Sequence, residues 1–178
     1  MQIALKHIKG DVLEQEFSCP TSNFPALADL AETGRARFLD PVRFYLRFQR
    51  SGRLVEVDGR FEATLEMTCA RCLAAYTLPL TDTFALTFTP ETDEELPEER
   101  QLQAEDLSLV SYHDEQLDLT EPLQDQLLVA VPMRVLCHED CRGLCPQCGA
   151  DLNQGVCGCE KKPFNNKFSA LSQLRAKP

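Results

Sequence analysis

Eight of the nine cysteines in this chain fall into close groups. Cys69 and Cys72 frame one short turn, and Cys137, Cys141, Cys145, Cys148, Cys157 and Cys159 crowd a stretch of about two dozen residues. Cys19 stands apart. Eight thiolates at such spacings make two sets of four, the number that closes two tetrahedral zinc sites. A fold that satisfies both sets has to bring a turn near residue 70 to a segment that begins near residue 137.

The first set is Cys145-Pro-Gln-Cys148 with Cys157-Gly-Cys159. A CxxC turn places two sulfurs on one side of a tight loop, and Gly149 allows an unusual backbone conformation that aims N–H groups at sulfur. The eight intervening residues suffice for a small ribbon. The second set joins Cys69-Ala-Arg-Cys72 to Cys137-His-Glu-Asp-Cys141. Cys137, Cys141, Cys145 and Cys148 form a rival grouping, and His138 can replace a thiol as a ligand. Iron–sulfur ligation is an alternative to zinc. Cys69 and Cys72 also allow a redox reading, although no strand–turn–helix pattern of a thioredoxin-like motif surrounds them. A closed four-thiolate site leaves no position for substrate or water, so its role is structural. Metal binding there would contribute on the order of 10 kcal/mol to ordering a segment with little core of its own.

Clustered cysteines favour metal over disulfides only in a reducing compartment. The N-terminal residues lack the pattern of a signal peptide, and no apolar run approaches the roughly 20 residues of a membrane span. The expectation is a cytoplasmic protein without a membrane partner. The net charge is −10, which argues against RNA binding by the whole surface. The charge is uneven, however. Residues 91 to 106 carry eight carboxylates against Arg100, whereas residues 160 to 178 carry five basic residues against one acid. Residues 35 to 60 carry seven arginines against three acids. Local contact with RNA therefore stays open.

From 42 to 88 the apolar period is two. Val42, Phe44, Leu46 and Phe48 alternate with Arg43, Tyr45 and Arg47. Val55, Val57, Phe61, Ala63, Leu65 and Met67 continue the pattern, and Leu78, Leu80, Phe84, Leu86 and Phe88 repeat it. This predicts an antiparallel sheet with one buried face. Short strands are expected at 2 to 8 and 12 to 17, and another near 108 to 113. Helices are expected at 23 to 33, capped by Ser22 or Asn23, and after Thr120, ending at Pro132. A last helix is expected over roughly 166 to 175. The fold class is α+β: an antiparallel sheet core with a few packed helices and a small C-terminal zinc-ribbon-like module. The expected divisions are 1–136 with an acidic loop at 91–106, a metal-binding module at 137–160, and a basic helix at 161–178 that docks on the domain.

No phosphate-binding loop, HExxH helix or GxSxG elbow is present. The three histidines are scattered. The residues offer no catalytic constellation and no site for a small-molecule substrate. Two patches suit RNA: Arg43, Tyr45 and Arg47 on one strand face, where arginine meets phosphate and tyrosine stacks a base, and Lys161, Lys162 and Lys167 in the tail. Against this, the arginines can pair across the sheet with Glu56, Glu62 or Glu66, and the tail lysines can serve solubility alone.

Three runs together resemble the YceD family, the large ribosomal RNA subunit accumulation proteins. They are Met67-Thr-Cys-Ala-Arg-Cys-Leu73, Asp118-Leu-Thr-Glu-Pro-Leu, and the long stretch from Pro132 through Cys137-His-Glu-Asp-Cys141 and Cys145-Pro-Gln-Cys148 to Asn153, with Cys157-Gly-Cys159 behind it. The resemblance covers most of the chain. It implies a bacterial-type, non-enzymatic factor that supports accumulation or processing of large-subunit (23S) ribosomal RNA, with the rRNA precursor or a large-subunit ribosomal protein as partner. Some members keep the Cys-x-Arg-Cys turn without the full C-terminal cluster, so the pairing of Cys69 and Cys72 with Cys137 and Cys141 is not implied throughout the family. The competing expectation is an acidic adaptor or chaperone for a basic ribosomal protein, with no RNA contact. A nuclease would need an acid/base pair or an open metal site.

Overall fold

The computed structural model describes residues 1–8, 12–34, 36–39, 41–91 and 109–159. The acidic loop beyond residue 91, the tail with Lys161, Lys162 and Lys167, and the expected terminal helix lie outside the described residues. The fold is α+β. In chain order it runs β1 (Gln2–Ala4), β2 (Val12–Cys19), α1 (Pro25–Glu32), β3 (Ala36–Phe38), β4 (Val42–Ser51), β5 (Leu54–Thr68), β6 (Ala75–Pro90), β7 (Leu109–Tyr112), β8 (Gln116–Asp118) and α2 (Thr120–Ala130).

One sheet has the order β2-β4-β5-β6-β7, and β3 pairs with the far end of β5, beyond the reach of β4. Every pairing in it is antiparallel except β6 with β7, which is parallel. The parallel partner, β7, lies outside the stretch from 42 to 88 for which antiparallel pairing is expected. The period-two alternation predicts strand and face but carries no information on strand direction. β1 pairs with β8 in a separate two-stranded sheet.

The alternation lands as sterics require, with successive side chains on opposite faces. Val42, Phe44, Leu46 and Phe48 are buried, and Arg43 and Arg47 are exposed. The register aligns Phe17, Phe44 and Phe61 on neighbouring strands, with ring centroids 5.4 and 6.2 Å apart. Phe24 joins Phe44 at 6.0 Å, just ahead of α1. Such aromatic pairs contribute about 0.5–1.5 kcal/mol each beyond the area they bury. Gly59 lies opposite Phe84 on the same face, and a Cβ there would overlap the Phe84 ring. Leu27 of α1, Leu117, Leu119, and Leu123 and Leu127 of α2 belong to the same core cluster as the sheet's apolar face.

The helix starts differ from expectation. Neither Ser22 nor Asn23 caps α1; Phe24 holds the cap position without a side-chain bond. The first-turn N–H of Ala26 donates instead to Gln124 Oε1 of α2, at 3.0 Å. Proximity in space replaces proximity in sequence as the source of the acceptor. Thr120 is the first residue of α2 rather than its cap, and its N–H donates to Asp118 Oδ1 at 2.9 Å. The helix stops where Val131 turns extended (φ −65°, ψ 119°), because the ring of Pro132 disfavours helical backbone at the residue before it. Among the described residues no helix is long and apolar enough to cross a membrane.

Candidate metal centres

β5 and β6 form a long hairpin whose tip is the Cys69–Cys72 turn. Thr68 pairs with Ala75 at its base. The segment after α2 returns to this tip. Ala70 N–H donates to Val135 O at 2.9 Å, and Leu144 N–H donates to Arg71 O at 3.1 Å. These bonds dock residues 135 to 144 on the hairpin. They bring Cys137 and Cys141 to Cys69 and Cys72, with the four sulfurs within 4.8 Å of one another. The Cys69–Cys141 and Cys72–Cys137 sulfur distances are 3.7 and 3.6 Å. A tetrahedron with metal–sulfur bonds of about 2.3 Å has edges of about 3.8 Å, so the donor set fits a tetrahedral thiolate ion. Cys69, Cys72 and Cys141 are buried, with Tyr76, Leu136 and Leu144 packed around them.

The second group holds Cys145, Cys148, Cys157 and Cys159, again within 4.8 Å. Its support is a small ribbon. Leu144 bridges Asp151, Cys145 N–H donates to Ala150 O, and Leu152 N–H donates to Gly143 O. Here only Cys145 is buried; Cys148 and Cys159 are exposed. Both tetrads could hold a metal ion. The alternative set Cys137, Cys141, Cys145 and Cys148 is divided between the two groups. His138 is exposed, with Nδ1 3.1 Å from Cys137 Sγ. Cys19 lies buried far along the sequence from both, its sulfur 3.8 Å from that of Met1.

The two CxxC turns are copies of one geometry. Cys69 N–H donates to Ala74 O, as Cys145 N–H donates to Ala150 O. Leu73 N–H donates to Cys69 O, as Gly149 N–H donates to Cys145 O. Arg71 N–H reaches Cys69 Sγ at 3.5 Å, as Gln147 N–H reaches Cys145 Sγ at 3.5 Å. The electrostatic effect is shared too. The backbone N–H groups of Cys72, Cys137 and Arg71 hold the Cys69 thiol down to about 5, although burial opposes them. Those of Cys148 and Gln147 hold the Cys145 thiol down to about 6. Burial, then hydrogen bonding to Cys72, pushes Cys137 up to about 12. Hydrogen bonding to Cys148, then burial, pushes Cys159 up to about 12. In each tetrad one sulfur ionises readily and another holds its proton, as expected of crowded like charges.

Three further residues join the tetrads, and none of their contacts could be read from spacing. Arg71 Nη1 donates to Cys141 O at 2.9 Å. Gly143 takes φ 74°, and a Cβ there would come 2.9 Å from Arg71 O. Asn153 in the ribbon donates from Nδ2 to Cys141 Sγ at 3.5 Å and accepts Arg142 N–H at 2.8 Å. The ribbon of one tetrad thus contacts a sulfur of the other. An arginine inside CxxC and a glycine after Arg142 were the visible signals, but their contacts cross 70 and 72 positions.

The strand patch has a different character. The outer face of the sheet carries an open trough of about 860 Å³, with Tyr45, Arg47, Arg60, Glu14, Glu16 and Asp58 among its walls. The register sets Arg47 between Glu14 and Asp58, and Arg43 opposite Glu62. Arg60 pairs with Glu62 at 2.5 Å, and Arg37 with Glu66 at 2.8 Å. Among the described residues, neither Arg43 nor Arg47 forms an ion pair.

The profile of the family described as "Large ribosomal RNA subunit accumulation protein YceD" matches residues 57–175, a span that contains all eight clustered cysteines. A "Large ribosomal RNA subunit accumulation protein YCED homolog 1, chloroplastic" of Arabidopsis thaliana is 23% identical over 158 residues, 76% of this chain and 49% of that protein. The protein of the same description in Zea mays is 24% identical over 149 residues, 71% of this chain and 50% of that protein. An uncharacterized protein of Mycobacterium tuberculosis is 34% identical over 113 residues, 60% of this chain and 49% of that protein. The chain thus spans about half the length of the curated relatives it matches. No solved structure matches it.

Proposed function

Because this chain belongs to the YceD family, described as large ribosomal RNA subunit accumulation proteins, we propose that it is a ribosome-biogenesis factor that sustains the accumulation or processing of large-subunit (23S) ribosomal RNA. The observation that carries this reading is the family match across residues 57–175. The description names an accumulation factor rather than a catalyst, and the reading assigns no enzymatic step. We place the protein in the cytoplasm, where thiols stay reduced.

In this reading each tetrad holds a structural zinc ion, through Cys145, Cys148, Cys157 and Cys159 and through Cys69, Cys72, Cys137 and Cys141. Zinc suits four thiolates in a closed tetrahedron, and when bound it supplies cross-linking rather than chemistry on a substrate. Arg71, Gly143 and Asn153 position the ligands. Arg43, Tyr45 and Arg47, with Lys161, Lys162 and Lys167, are the proposed RNA contacts. Sedimentation of a tagged copy with and without ribonuclease tests the proposal. Ribonuclease-sensitive co-migration with large-subunit precursors is the expected result, and migration only as free protein or a small complex would overturn direct RNA contact.

One observation favours the second reading, a protein-binding adaptor for a basic large-subunit ribosomal protein. The net charge is −10, and the register supplies carboxylate neighbours to the very arginines offered to RNA. In that case the partner in the small complex is a basic protein.

A further inference from the structure

The two tetrads share their turn geometry but not their surroundings. The first is fenced by Tyr76, Leu136 and Leu144, and three of its four sulfurs belong to buried residues. It is also clamped from outside the turn by Ala70 to Val135, Arg71 to Cys141 and Leu144 to Arg71. The second exposes Cys148 and Cys159, half-exposes Cys157 and buries only Cys145. Its closing arm is a CxC segment, and among the described residues nothing lies within 4 Å of where a side chain would begin at either Gly155 or Gly158. Reaction of a thiolate with an oxidant requires access as well as charge, and local opening is easiest where packing is least.

We propose that the second tetrad is an oxidation-sensitive site: a hydroperoxide converts Cys148 and Cys159 to a disulfide and releases the metal, while the first tetrad keeps its own. The inference rests on the metal-binding reading above. The Cys148 or Cys159 thiolate attacks the peroxide, so an S–O bond forms and the O–O bond breaks, and the alcohol or water leaves with one proton. The other exposed thiolate attacks the resulting sulfenic sulfur, an S–S bond forms, and hydroxide departs with a second proton as water. The two sulfurs lose two electrons to the peroxide, and a thiol reductant reverses the change. With two of its four ligands gone, the site no longer closes around an ion. The sulfurs of Cys148 and Cys159 lie within 4.8 Å of one another, and both residues are exposed, so the two sulfurs are within reach of each other once the ribbon opens locally.

The test uses the full chain loaded with zinc, hydrogen peroxide, a chromogenic chelator and mass-spectrometric mapping of disulfides. One equivalent of zinc should leave at least about tenfold faster than the other, in step with a Cys148–Cys159 cross-link. Dithiothreitol with zinc should restore it. Loss of both ions at one rate, or a first cross-link among Cys69, Cys72, Cys137 and Cys141, overturns the inference while leaving the metal reading in place. A chain that binds no metal after reduction and reconstitution overturns both.

Discussion

Leu73 adopts at φ 60° the left-handed backbone conformation that Gly149 adopts at φ 73°, each one residue after the second cysteine of a CxxC turn. The position demands this conformation because the N–H of the residue closes back on the carbonyl of the first cysteine. Glycine takes it freely, whereas an L-residue with a Cβ pays about 1–2 kcal/mol. Leu73 is also 64% exposed, so its side chain recovers little of that cost by burial. Leu73→Gly should therefore stabilise the metal-loaded protein by about 0.5–1 kcal/mol, after the entropy of glycine in the unfolded chain is subtracted. Gly149→Ala should destabilise by about 1–2 kcal/mol. Urea unfolding of both variants decides this, and a destabilising Leu73→Gly would contradict it.

Gly143 presses on the first CxxC turn from outside. Its φ of 74° and the 2.9 Å from an added Cβ to Arg71 O leave no room for a side chain. Gly143→Ala should cost about 2 kcal/mol, combining the backbone and overpacking penalties. It should weaken metal retention at the first tetrad more than at the second, which stepwise chelator competition would show.

Metal removal should act unevenly on the chain. The sheet core of Phe44, Phe61, Leu65 and Phe88 takes no member from residues 137 to 159. A chelator at neutral pH should abolish hydrogen-exchange protection of the Cys145 and Leu144 amides and leave β4 and β5 protected. Binding must also release protons, because a metal takes thiolates, and burial and neighbouring sulfurs push the Cys137 and Cys159 thiols up. Metal affinity should accordingly fall as pH falls. Equal loss of protection throughout the chain would show the tetrads to be part of the core's cooperative unit.

Asp118 supplies a separate acid dependence. Burial alone would raise its carboxyl, but the Thr120 N–H and hydroxyl and the Met1 ammonium hold it down to about 2 from the ordinary 3.8. The ionised form favours the folded state, so its contribution is full above about pH 4 and is lost as pH falls through about 2. With the side chain 56% exposed, solvent screening limits this to about 0.5 kcal/mol. Comparing urea midpoints of wild type and Asp118→Asn between pH 5 and 2 should show a gap that closes with acid.

For the outer sheet face, Arg43→Glu with Arg47→Glu should lower large-subunit rRNA accumulation in cells without unfolding the protein. Circular dichroism supplies the folding control. Unchanged rRNA would remove this strand from the account.

Strand faces were legible in the sequence because the two-residue period follows from backbone geometry alone. Val42 through Phe48 fall where alternation puts them, and the hairpin turn at Gly52, with φ 63°, is marked by its glycine. The two sulfur groups observed are among those the spacing allowed, but spacing also allowed a rival that the docking of residues 135 to 144 on the hairpin divides. What remained hidden depends on contacts between distant residues. Gln124 supplies the acceptor for the start of α1, β7 lies parallel to β6, and Asn153 reaches Cys141. Local propensity offers no signal for any of these. Likewise β3 is three residues long, too short for a period to show.

The sulfur pairs of the first tetrad join positions 65 and 72 residues apart, which imposes a schedule on the nascent chain. At synthesis rates of about 5–20 residues per second, the Cys69–Cys72 hairpin tip waits roughly 3–15 s before its partner sulfurs are made. Through that interval the growing polypeptide presents a half-built dithiol on the longest hairpin of the fold.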